Sequence, residues 1–223
     1  MAYILNLETA TTNCSVALSK HGEVIALKED SENGYSHAEK LHVFINEVIQ
    51  KANISRNQID AIAVSKGPGS YTGLRIGVSA AKGLCFALDI PLIALPTLQV
   101  LAQQATADEG VVIPMLDARR MEVYSAIFDA NYNEIRQTQA EILNESSFED
   151  HLNAGKVHFI GNGVEKTKAI INHPNAVFIE GKLPSANEMG HSAFEKYKKS
   201  DTEDVAYFEP YYLKDFIAIK PKT

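Results

Sequence analysis

"YILNLETATTNCSVALSKHGEVIALKE", residues 3 to 29, holds three short runs rich in strand formers: Tyr3 to Glu8, Cys14 to Ser19 and Glu23 to Glu29. His21-Gly22 between the last two is a tight-turn signal, so the stretch predicts a three-stranded meander. The period then changes. Over 36–52 ("SHAEKLHVFINEVIQKA") Leu41, Phe44, Ile45, Val48, Ile49 and Ala52 recur on one helical face, with Ser36 as N-cap and Glu39 completing a capping box. Residues 61–65 ("AIAVS") read as a buried strand and a glycine-rich loop opens a helix that runs to Leu88. A further strand is expected over 91–95 and a helix over 97–105, opened by Thr97 after Pro96. The order β-β-β-α-β-α-β is that of one lobe of the actin and sugar-kinase architecture, an α/β fold of two lobes.

From Val111 the pattern starts again. "VVIPMLDA" (111–118) and "EVYSAIFDA" (122–130) read as paired strands, and "HFIGNG" (158–163) as a strand leading through a loop to a helix that ends at Ile171. A helix over 183–199 starts near Ser185, and 208–215 is a proline-broken closing segment. With no long linker, the division falls softly between residues 100 and 110. The first lobe is expected over 1–105 and a second, reduced lobe over 106–223.

With 223 residues and 45% apolar content, the chain can bury a real core. Its net charge of −7, from 28 acidic and 21 basic residues, gives no general reason to grip nucleic acid unaided. The "KYKK" run at 196–199 is followed by "DTED" at 201–204, so it reads either as a solvated helix end or as a local RNA patch. Cys14 and Cys85 each sit in an apolar run, and two cysteines make no disulfide framework. The start lacks a basic, apolar leader and no run reaches the roughly 18 apolar residues of a membrane span, so a cytoplasmic location is expected.

The glycine loop, "SKGPGSYTGLRIG" over 65–77, fails both common phosphate templates. A Walker loop ends in Gly-Lys-Ser/Thr, whereas Thr72-Gly73-Leu74 stands here, and Gly67-x-Gly69 is followed by Thr72 where the dinucleotide fingerprint has glycine. The free N–H groups of a helix start leave two readings: an anion site over Ser70, Thr72 and Gly73, or a tight strand-to-helix turn. In actin-like lobes the first hairpin supplies an Asp and a Gly for metal and phosphate. Glu8 and Ala10 occupy the corresponding bend, which is poorly built for ATP. Glu8 reads as a turn acid or as the holder of a solvated cation. His37 and His42 are five residues apart, about 140° around a helix, so neither pairs with the other on a metal, and both read as surface or cap residues.

The helix after the glycines has small residues at Gly73, Gly77 and Ala81, and again at Ser79, Gly83 and Ala87. Such flat strips admit another backbone. Ile76, Val78, Leu84, Cys85, Phe86 and Leu88 spread round most of the circumference, more than one sheet face can cover. Either a second body covers the rest, with Val43 of the first helix joining the same surface, or both helices are buried within the domain.

"NLETATTNCSVALS", "SHAEKLH", "AIAVSKGPGSYTGLRIGVSAAKGL", "PTLQVLA", "LDARRMEVYSAIF" and "PYYL" together resemble the bacterial TsaB (YeaZ) family, most densely over residues 4 to 125. The resemblance implies an actin-like (ASKHA, ribonuclease H-like) fold. It also implies a non-catalytic scaffold in threonylcarbamoyl transfer to N6 of adenosine 37 of tRNA (t6A biosynthesis). It further implies a paralogous TsaD-like catalytic subunit, a TsaE-like ATPase subunit, a homodimer when the chain is alone, and tRNA met only through the complex. No catalytic residue, metal or cofactor is expected in this chain, with an adenine nucleotide conceivable in the complex. The interface is expected at Leu41, Ile45 and Val48 of the first helix and at Gly73, Leu74, Gly77, Val78, Ala81, Leu84 and Cys85 of the second. Gly77→Leu or Ala81→Glu is therefore expected to spare folding and abolish the complex. Glu8 stands where the family often has Asp, and Asp117 with Arg119 is expected to form a structural loop pair, the alternative being a substrate contact by Arg119. The competing function is an independent ATP-binding enzyme of the actin or sugar-kinase class.

Overall fold

The computed structural model describes residues 2–32, 34 and 36–214. The first half runs β1 (Tyr3–Glu8), β2 (Cys14–Lys20), β3 (Glu23–Asp30), α1 (His37–Lys51), β4 (Ala61–Gly67), α2 (Tyr71–Leu88), β5 (Leu92–Pro96) and α3 (Thr97–Ala102). The second runs β6 (Val111–Asp117), β7 (Glu122–Asp129), β8 (Glu134–Ile142), α4 (Glu149–Ala154), β9 (Val157–Ile160), α5 (Val164–Lys168) and β10 (Ala176–Ile179), and α6 (Met189–Lys198) follows. The sheets are ordered β3-β2-β1-β4-β5 and β8-β7-β6-β9-β10. In each, three antiparallel strands are followed by two parallel ones.

The second half thus repeats the first strand for strand, and its expected reduction lies in its helices alone. α1 and α2 have 15 and 18 residues, α4 and α5 only 6 and 5. The expected span of the second lobe also needs correction. α6 packs on the first sheet, where Met189 and Ala193 meet Ile4, Ala17, Ala63 and Ile93. Beyond α6, Glu203 bridges to Leu92 and the Tyr211 N–H donates to the Lys66 carbonyl at 2.7 Å. The chain returns because strand side chains alternate, leaving the first sheet with two apolar faces. Leu5, Leu7, Val16, Leu18 and Val64 lie under α1 and α2, so the opposite face needs α3 and α6 to keep it from water.

β8 and β10 escape the sequence reading: β8 carries no apolar run, and that of β10, AVFI, is only four residues long. β8, an edge strand with the sequence EIRQTQAEI, is largely exposed. Ser36 does not cap α1 as expected: its side chain bonds neither the helix nor any other described group, and no capping box forms. α6 starts four residues after Ser185, whose hydroxyl instead caps a short 3-10 turn by accepting from the Asn187 N–H. Asp215, the last residue of the predicted closing segment, lies outside the described residues.

Glycine positions along α2 separate packing from helix propensity. A Cβ on Gly73 would overlap the Thr9 carbonyl oxygen, whereas one on Gly83 meets nothing within 4 Å. Gly73→Ala is expected to cost about 2–4 kcal/mol in urea unfolding and Gly83→Ala to gain about 0.5–1 kcal/mol.

Candidate interaction surface

The β1–β2 turn, where an actin-like hairpin meets phosphate, is packed against α2 by its own backbone. Gly69, Gly73 and Gly77 face Ala10 and Thr9 so closely that a Cβ at any of them would overlap the turn. Thr9 Oγ1 donates to the Gly73 carbonyl at 2.8 Å, and the Ser70 N–H donates to the Ala10 carbonyl at 2.7 Å. From α1, His37 Nε2 donates to the Thr11 carbonyl at 2.7 Å. His37 is therefore a buried clamp and not the surface or cap residue expected, and burial lowers its pKa. His42 is exposed. Asn13 Nδ2 donates to the Pro184 carbonyl at 3.0 Å and ties the turn to the returning chain.

This seam takes two of the three residues of the predicted anion site, Ser70 and Gly73. Ser70 Oγ accepts from the Gly73 N–H at 3.2 Å, the Leu74 N–H returns to the Ser70 carbonyl at 2.8 Å, and Thr72 is exposed on the outer face. The structure builds the tight turn. Glu8 is fully buried, with one carboxylate oxygen accepting from the Ala10 N–H at 2.6 Å and the other from Ser65 Oγ. Burial pushes its pKa up to about 7, against the lowering effect of those hydrogen bonds. Among the described residues no three His, Cys, Asp or Glu side chains gather as a metal site.

The outer side of α1 and α2 is different. Thr72, Arg75, Ser79, Gly83 and Phe86 form the exposed stripe of α2, with Phe86 85% and Val43 of α1 51% exposed. A concavity of about 700 Å³ lies here, lined by His42, Tyr71, Arg75, Ile76 and Leu84 among others. The closing segment frames it. Lys82 Nζ donates to the Ala206 and Phe208 carbonyls at 3.1 and 3.0 Å, and Arg75 Nε donates to the Tyr212 hydroxyl at 3.1 Å. The Arg75 guanidinium lies over the Tyr71 ring, 4.1 Å from its centroid, and the Tyr71 and Tyr212 ring centroids are 5.2 Å apart. Sequence reasoning missed this strap, whose only local signal is the aromatic pair Tyr211-Tyr212.

Most of the predicted interface residues lie elsewhere. Leu41, Ile45, Val48, Leu74, Val78, Ala81 and Cys85 are in the chain's own core, and Gly73 and Gly77 face Thr9. Only Leu84 of that set reaches the outer face, half-buried. The reason is geometric: the Gly73–Gly77–Ala81 strip admits a backbone, but that backbone is the β1–β2 turn. Gly77→Leu and Ala81→Glu would accordingly disrupt folding before any complex. Asp117 and Arg119 pair as expected, though through the main chain, with Asp117 Oδ1 accepting from the Arg119 N–H at 2.7 Å.

A family model described as "TsaD: tRNA N6-adenosine threonylcarbamoyltransferase" matches residues 31–221. The TsaB protein of Escherichia coli K12, "tRNA threonylcarbamoyladenosine biosynthesis protein TsaB", is 32% identical over 225 residues, covering 97% of this chain and 96% of that protein. The chain belongs to the TsaB (YeaZ) family. The solved structure of YeaZ from Pseudomonas aeruginosa covers 96% of this chain and 100% of its own, with a TM-score of 0.82 and 27% identity. The activator of the 2-hydroxyisocaproyl-CoA dehydratase from Clostridium difficile, solved with bound ADPNP, shares the fold alone, with a TM-score of 0.52 and 12% identity over 89% of this chain. The fold is thus the actin-like one. No helix of the described residues is long and apolar enough to cross a membrane.

Glu8 gives the TsaB-type seam a pH signature. The folded carboxyl holds its proton up to about pH 7 while the unfolded one releases it near 4.5, so the native state binds more protons in that window and loses stability as pH rises through it. Glu8→Gln is expected to remove this slope and to raise stability at pH 8 by roughly 1–3 kcal/mol, read from urea titrations across the pH range.

Proposed function

We propose that this chain is the non-catalytic subunit that binds and supports a TsaD-type catalytic subunit in threonylcarbamoyl transfer to N6 of adenosine 37 of tRNA, through the outer face of α1 and α2. The observation that carries this reading is the uncovered ring of Phe86, 85% exposed near the end of a helix whose other large apolar residues are at least half-buried, with Val43 of α1 51% exposed. A large exposed aromatic rimmed by polar groups marks a protein contact. The match of a catalytic-subunit model to residues 31–221 suggests that the partner carries a comparable helix pair. Two such pairs would pack face to face, and the same face would hold two copies of this chain when the partner is absent. A TsaE-type ATPase completes the assembly, tRNA is met through it, and the whole works in the cytoplasm.

The filled turn supports the absence of activity from this chain alone. An adenine nucleotide, where the assembly uses one, would sit on another subunit or between subunits. The alternative, an independent ATP-binding enzyme of the actin or sugar-kinase class, rests on fold likeness without a free phosphate cradle. Calorimetric titration of the isolated chain with ATP–Mg at millimolar concentration is expected to show no saturable heat; a clear isotherm would reinstate that alternative.

Light scattering on a sizing column, with the catalytic subunit of the same organism, tests the interface. Gly83→Arg enters open space on the outer face and Phe86→Glu replaces an exposed ring, so each is expected to shift stability by only about 0.5 kcal/mol. Each is also expected to weaken the complex at least tenfold. Mixed complexes of undiminished affinity from both variants would refute the interface.

A further inference from the structure

The hairpin between β6 and β7 closes with Arg119 at φ 69° and Arg120 at φ 52°, two successive left-handed residues. Three residues span the turn, since the Ala118 N–H donates to the Glu122 carbonyl at 3.0 Å and the Glu122 N–H to the Arg119 carbonyl at 3.1 Å, and each β-carbon in a left-handed position costs roughly 1 kcal/mol. The turn is held without either guanidinium. Asp117 accepts from the Arg119 N–H, and Lys166 Nζ lies beneath, donating to Asp117 Oδ1, the Arg120 carbonyl and the Glu122 carbonyl at 2.6, 2.7 and 2.9 Å. Three donors meet three acceptors, which fixes the backbone and spends the lysine. Both arginine side chains stand exposed, with no hydrogen bond or ion pair among the described residues.

The local charge balance is unusual for an acidic chain. Asp117 is neutralised by Lys166 and Glu122 by Lys214, so the two guanidiniums are the uncancelled charge of the turn, in a protein of net charge −7. The lysine run at 196–199 behaves otherwise: Lys196 pairs with Asp201 at 2.9 Å and Lys198 with Glu195 at 2.7 Å. The turn also adjoins the proposed partner face. Lys214, on Glu122, is two residues beyond Tyr212, which holds Arg75 of α2.

We propose that the Arg119–Arg120 turn is a contact for the phosphate backbone of RNA, made when the chain is in its assembly. It rests on the reading of a tRNA-modifying assembly given above. Guanidinium forks match phosphate oxygens in pairs, and a turn stiffened from below presents them without first having to be ordered. The acidic surface elsewhere confines the contact to this tip, so the isolated chain has little affinity for RNA.

The test uses the complex of this chain with the catalytic subunit and a fluorescein-labelled tRNA transcript. Anisotropy is read over about 0.05–0.3 M salt, with complex formation measured separately on a sizing column. The double variant R119Q/R120Q is expected to assemble normally, to bind tRNA about tenfold more weakly, and to lower the log–log salt slope by roughly 1.4–1.8, for two phosphate contacts. R119K/R120K, which keeps the charge, is expected to retain most of the slope, as a purely structural role for the arginines would not require. Unchanged affinity and slope in the glutamine variant overturn the proposal. Failure of that variant to assemble also overturns it and makes the turn a protein contact. A wild-type complex that forms but binds no tRNA refutes the underlying reading instead, as does failure of the wild-type complex to form.

Discussion

The close approach of the β1–β2 turn to α2 is the constraint on which the first half depends. Gly69, Gly73 and Gly77 leave out the side chains that would hold the helix away, and Thr9 and Ala10 fill the gap with main chain and a hydroxyl. Once α2 is seated, Val78, Ala81 and Cys85 reach Leu5, Val64 and Leu92 in the core. The helix must then expose its opposite stripe. Seating one face so deeply is what leaves Phe86 and the concavity beside Arg75 facing outward.

The same packing closes the bend between the hairpin and the helix start. In an actin-like lobe the hairpin and the helix start would offer backbone N–H groups to a ligand. Here those of Ser70, Gly73 and Leu74 are consumed within the chain, and a buried Glu8, its pKa raised by burial, stiffens the turn from behind. Burying a carboxyl costs stability at neutral pH, yet the Ala10 N–H and the Ser65 hydroxyl keep it satisfied.

The two halves share one strand plan but divide the work. The first sheet is covered on both faces by long helices and by the returning chain, and it presents the outer helix pair. The second is covered by the short helices α4 and α5 on one face and by α3 on the other, and its polar edge strand β8 discourages pairing with other sheets. The closing segment links them, lying on Lys66 and Lys82 of the first half and ending at Glu122 of the second.

The sequence alone determined the strand plan of the first half, because alternating and helical periods, the His21-Gly22 turn and the glycine loop are local signals that tertiary contacts did not override. It also showed what the turn lacks: Glu8 and Ala10 stand where an actin-like hairpin has Asp and Gly, a bend poorly built for phosphate. The family was legible as well, from motifs spread over residues 4 to 125. Which side of α2 faces outward was not, since a strip of small residues says that a backbone comes close without saying whose. Gly77 and Ala81 therefore looked like contacts for another molecule and are contacts for Thr9 and the core. β8, β10 and the return of α6 were equally hidden, because their places are set by strand pairing and by a bare sheet face, both assembled from residues far apart in the chain. Only the tertiary structure could decide them, since burial is a property of neighbours and not of a residue.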